Sequence, residues 1–158
     1  MSDNPSSDEA ALWQRRLAAQ ANNSAWRLSE STSRSAQEDE EMLQAAHAAM
    51  YLWKLVGNAG NRAHALLLAH VYALLKLPNP ANHYLRQSEP FFLQPDREPW
   101  EKACVCAVKA GVAAATGQSE EHARSHREAE RLIAALPDRE DREILAATLR
   151  VVPRPDDR

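Results

Sequence analysis

Glycine appears only four times in this chain of 158 residues, and cysteine only twice. With so few glycines, no glycine-rich phosphate loop is present. Cys104 and Cys106 lie two apart on a predicted helix, so their side chains point to nearly opposite sides. They cannot easily bond each other, and no second pair exists to complete a zinc site. A reducing, cytoplasmic setting fits that usage. β-branched residues are scarce, which disfavours strands. The longest apolar stretch, within Ala65–Leu75, is interrupted by His70 and is too short to span a bilayer. The first ten residues, MSDNPSSDEA, are polar and acidic and have no signal-peptide pattern. A formal net charge of -3 gives no global case for nucleic acid. No serine sits in a nucleophile elbow, and the carboxylates fall mostly on solvent faces and helix caps. The sequence therefore predicts no enzyme, no cofactor, no nucleic acid and no membrane partner.

What is abundant is alanine and leucine, on a background of 44% hydrophobic and 26% charged residues. That balance predicts helix throughout one domain large enough to bury its own core. The expected organisation is a disordered N-terminus over 1–7, a single helical domain over 8–152, and a flexible tail over 153–158. At its centre lies Asn61–Leu77, NRAHALLLAHVYALLKL, with no convincingly polar face. A helix of that length would run about 25 Å. Being apolar almost all round, it must be covered on several sides.

Helix signals punctuate the rest. Ser6 with Glu9, and Ser35 with Glu38, have capping-box spacing and open helices toward Leu28 and Val56. Trp13, Leu17, Ala21, Ser24 and Leu28 form one stripe of the first helix. Met42, Ala45, Ala49, Trp53 and Val56 form the buried side of the second. Gly57 ends the second helix where a left-handed backbone is cheap. Asn58 or Asn61 caps the central helix. Asn79–Pro80 predicts a fourth helix with Asn as the cap and Pro at the first position, and Pro90 should distort or end its last turn. A fifth helix ends at Gly117. Its small residues, Gly111 among them, would let a neighbour's backbone approach closely. Ser119 starts a sixth that reaches Leu136, and Asp138 caps a seventh that ends near Val152.

Seven helices joined by short links predict antiparallel neighbours. Helix ends at Gly57, Leu77, Leu93, Gly117 and Leu136 recur about every twenty residues, a rhythm of repeated helical hairpins. The central hairpin resembles a tetratricopeptide repeat. Ala65, Leu68, Ala69 and Tyr72 stand at the first-helix pattern positions, Ala81 and Leu85 at those of the second, and Pro95 follows. The chain as a whole is similar to uncharacterised bacterial helical-repeat proteins. The resemblance implies an all-α, α-α superhelical stack whose first helices line a concave groove and whose last helix caps the final pair. It also implies a non-catalytic scaffold that binds a peptide or partner protein.

The candidate partner-binding residues are His70, Arg62, Tyr51, Trp53 and His47. Residues 42–94 hold four bases, one acid and four of the six histidines, a mildly basic centre between acidic ends. A positive strip of that kind favours an acidic partner. His70 either faces the groove or is a core histidine bonded to a neighbouring carbonyl. Trp53, His47 and Tyr51 are either core packing or a recognition patch, since Trp, Tyr and Arg dominate binding hot spots. His122 and His126, one helical turn apart, are two ligands short of a metal site. Three alternatives remain open: a secretion or assembly chaperone, a small-molecule or enzymatic domain around His47, His70 and Trp53, and self-association into a homo-oligomer.

Overall fold

The computed structural model describes residues 6–57 and 64–156. Among them are seven helices and no strand: α1 (Ser7–Ser29), α2 (Ala36–Val56), α3 (Ala65–Leu74), α4 (Pro78–Phe92), α5 (Pro99–Ala115), α6 (Ser119–Ala134) and α7 (Arg139–Arg150). Local chemistry sets most of these limits. Both predicted capping boxes form, the Ser6 hydroxyl accepting from the Glu9 amide and the Ser35 hydroxyl from the Glu38 amide. Asp138 caps α7 by accepting from the amides of Glu140 and Asp141. Gly57 and Gly117 close α2 and α5 in the left-handed conformation at φ 74°.

Two expectations need correction in the middle of the chain. The apolar stretch is shorter as a helix than its composition suggests, ten residues from Ala65 to Leu74. Its closing residue is Lys76, held left-handed at φ 57°, with Lys76 N–H donating to the Ala73 carbonyl and Leu77 N–H to the Tyr72 carbonyl. This pair of bonds is a Schellman motif built without glycine. The fourth helix then starts two residues early: Pro78 occupies its first position, Leu77 stands at the cap, and Asn79 lies inside the first turn. Both Pro78 and Pro80 are tolerated there because first-turn N–H groups have no partner within the helix. Pro90 lies inside the last turn of α4, which continues to Phe92. The expected caps Asn58 and Asn61 lie outside the described residues.

The helices pair as hairpins, α1 on α2, α3 on α4 and α5 on α6, and the pairs stack in chain order through α1–α3, α2–α3, α3–α5 and α4–α5 contacts. The seventh helix covers the last pair by packing on both α5 and α6. This is a tetratricopeptide-like α-α superhelical arrangement. The central rung joins its two cores. Leu67, Leu68 and Val71 of α3 pack with Ala25, Leu28, Met42 and Ala46 of the first hairpin. Leu66, Ala69 and Ala73, on other sides of the same helix, pack with α4, α5 and the C-terminal helices. Of the pattern residues, Ala65, Leu68, Ala69 and Ala81 are fully buried and Leu85 nearly so. Small residues where α3 and α4 meet let the helices approach, and the leucines fill the space around them. Buried Ser88 fits the same seam because its hydroxyl donates to the Leu85 carbonyl at 2.9 Å.

Candidate functional site

The C-terminal ends of α3 and α5 lie on the same edge of the stack as the α1–α2 loop, the first turn of α6 and the tail after α7. Together they enclose an open cleft of about 1260 Å³. Its floor is apolar and small, formed by Ala73, Leu74, Gly111, Ala114 and Ala115. Charge is concentrated around it: Arg34, Lys76, Arg150 and Arg154, against Glu120 and Asp156. Arg34 is committed to structure. Its Nε bonds Asp39 at 2.6 Å and its Nη1 donates to the Ser31 carbonyl at 2.7 Å, which ties the α1–α2 loop to the start of α2. Lys76, Arg150 and Arg154 make no ion pair with any described residue. Arg150 and Arg154 also border a smaller cavity of about 350 Å³, with His126, Glu130, Ile133 and Leu149 on its walls.

The tail is one wall of the cleft. Val152 is buried, with a methyl 3.5 Å from where a Cβ on Gly111 would stand. His122 Nε2 donates to the Pro153 carbonyl at 2.7 Å, which fixes the proton on that nitrogen. Gly111 thus faces side chains, those of Val152 and Ala73, where a neighbouring backbone was expected.

His70 lines the cleft from α3, although only 1% of it is exposed. Its ring stacks on Trp26 of α1 at 5.4 Å, and neither nitrogen has a hydrogen-bond partner among the described residues. Burial, reinforced by the nearby Arg34 charge, pushes its pKa down to about 4, so the ring is neutral near pH 7. The neutral ring carries one N–H donor and one lone pair. No carbonyl of the described residues accepts the bond anticipated for it.

The other sequence candidates do not join it. His47 lies on α2, its Nε2 2.8 Å from the Tyr72 hydroxyl and its ring edge-on to both Tyr72 and Tyr84. Tyr72 and Tyr84 stack in parallel, at 5.8 Å between centroids. Trp53 lies flat against His64, at 4.8 Å and 5°. Tyr51 is 62% exposed on the outer side of α2. Arg62 lies outside the described residues. The grouping of His47, His70 and Trp53 therefore resolves into three separate contacts, each completed by a residue from elsewhere in the chain. His122 and His126 are edge-on at 6.2 Å, and among the described residues no three His, Cys, Asp or Glu side chains gather as metal ligands.

Neither thiol has the environment of a nucleophile. Burial pushes Cys104 up to about 12 and also raises Cys106. No described helix is long and apolar enough to cross a membrane. Sequence reasoning missed Arg150, Arg154 and Trp26 as neighbours of the cleft. Their signal was weak: Trp26 lies off the apolar stripe of α1, Arg150 sits in the last turn of the predicted seventh helix, and Arg154 belongs to a segment that reads as a charged tail.

Compared with family models, curated proteins and solved structures, the chain matches none.

Proposed function

We propose that this helical-repeat scaffold binds an acidic, extended segment of a partner protein in the cleft at the ends of α3 and α5. The observation that carries the reading is the pairing of an apolar floor with three cations, Lys76, Arg150 and Arg154, that have no ion-pair partner among the described residues. All three are solvent-exposed and so free to meet a partner's carboxylates. They border a hollow with room for several side chains.

Each part has a distinct role. The small side chains of the floor allow a backbone to come close, and Leu74 offers apolar contact. Lys76, Arg150 and Arg154 steer carboxylates, which speeds encounter and sets charge preference more than it adds affinity. His70 supplies an uncharged donor and acceptor beneath the floor, reachable once the Trp26 stack shifts. Tyr51, exposed on the far side of α2, would extend the contact only for a partner large enough to wrap the first hairpin.

The test is an array of twelve-residue peptides graded from acidic to basic, probed with the wild type and with Lys76→Glu/Arg154→Glu. Retention should rise with acidic content, fall as salt screens it, and disappear in the double variant. Retention that ignores peptide charge, or that survives the double variant, overturns the reading.

A further inference from the structure

The two ends of the stack are finished differently. At the C-terminal end α7 lies across α5 and α6, whereas α1 packs chiefly on α2 and, less closely, on α3. Its free side exposes three large apolar side chains set among charged ones: Leu12 is 48% exposed, Trp13 56% and Leu17 46%. No other described helix exposes three large hydrophobic side chains. A stack of this kind needs a polar outer face at its ends or a partner to cover it.

The charges around that patch say what covers it. At about 100° per residue, Glu9, Leu12 and Arg16 fall within roughly 60° of one another, on the side of α1 facing away from buried Ala18 and Ala25. Acids precede the patch, Asp8 and Glu9; bases follow it, Arg15 and Arg16. All four are exposed, and neither arginine forms a salt bridge with a described residue. Arg16 lies over the Trp13 ring at 5.5 Å, a contact that leaves its outer edge free.

This charge order is self-complementary under a twofold axis. We infer that α1 is the dimerisation surface of the protein, pairing antiparallel with α1 of a second copy about Leu12. In that arrangement Leu12 meets Leu12 of the second copy, and the two Trp13 rings line one flank of the seam. Asp8 and Glu9 of each copy lie opposite Arg15 and Arg16, respectively, of the other. The contact is isologous, so it closes at two copies and leaves no end for further growth. The opposite orientation, parallel α1 helices, would set acid against acid and base against base. The cleft at the ends of α3 and α5 is not part of this surface, so failure of either proposal leaves the other intact.

Sedimentation velocity between roughly 1 and 100 μM tests it. The wild type should sediment as a dimer that loosens as salt rises. Leu12→Glu should be monomeric across the range. Arg15→Glu/Arg16→Glu and Asp8→Lys/Glu9→Gln should each raise the dimer dissociation constant about ten-fold or more. Gln at position 9 keeps the capping box, and far-UV circular dichroism checks that α1 is retained. Mixing the two charge variants in equal amounts should restore a dimer of one copy of each. A monomeric wild type, a dimer indifferent to all three substitutions, or charge variants that do not pair with each other would overturn the inference.

Discussion

His70 and Trp26 lie ring on ring across the α1–α3 interface, centroids 5.4 Å apart and planes inclined at 27°. The stack substitutes for hydrogen bonds that the imidazole does not make. It also places a titratable group in a site that cannot accept its charged form, and this has a direct consequence in acid.

Burial, with the Arg34 charge added, lowers the His70 pKa from 6.5 to about 4 in the folded protein. Between those values the unfolded chain takes up a proton that the folded one refuses, so stability is full above pH 6.5 and falls as the pH drops toward 4. The loss from this residue is about 3 kcal/mol. His70→Phe keeps a ring against Trp26 and removes both unpaired nitrogens. Urea titrations from pH 7 to pH 4 should show a shallower decline for the variant, with stability at pH 7 equal to or above the wild type. Some slope will persist, because burial also lowers His47, His64 and His126.

Gly111 is a glycine without a steric need. A Cβ there would sit 3.5 Å from Val152 Cγ2 and 3.8 Å from Ala73 Cβ, ordinary contact distances. Inside a helix, glycine costs about 0.5–1 kcal/mol relative to alanine. Gly111→Ala should therefore raise the melting temperature by roughly 1–4 °C, read by thermal circular dichroism. Gly117→Ala should lower it, since φ there is 74°.

Lys76 carries two opposed demands. As the left-handed residue closing α3, at φ 57°, it costs about 1 kcal/mol that glycine would not. As a cation at the cleft, it is needed for the proposed partner. Lys76→Gly should accordingly stabilise the fold by about 0.5–1 kcal/mol in chemical denaturation while weakening retention of acidic peptides. A variant that gains stability and keeps full peptide retention would remove Lys76 from the site.

The sequence made the ends of helices legible wherever one residue type has a single local use. Ser6 with Glu9, Ser35 with Glu38, Asp138 and the two turn glycines each mark a boundary found in the structure. It was ambiguous at 76–80, where lysine takes a conformation usually left to glycine and two prolines each suit a first turn. The central position of α3 followed from its lack of a polar side. Site geometry was much less readable. Helical spacing assigns His47, Trp53 and His70 to stripes, but each stripe's neighbour comes from elsewhere: Tyr72, His64 and Trp26. The cleft joins Lys76 to Arg150 and Arg154 across more than seventy positions, and no periodicity links a helix end to a tail.

The proposed site is tested most directly by titrating the best-retained acidic peptide into the isotopically labelled protein and following backbone and methyl resonances. Shifts should concentrate at Ala73, Leu74, Gly111, Ala114 and Ala115, weaken as salt rises, and vanish in Lys76→Glu/Arg154→Glu. Shifts centred on Tyr51 and His47, or none at saturating peptide, would contradict the account.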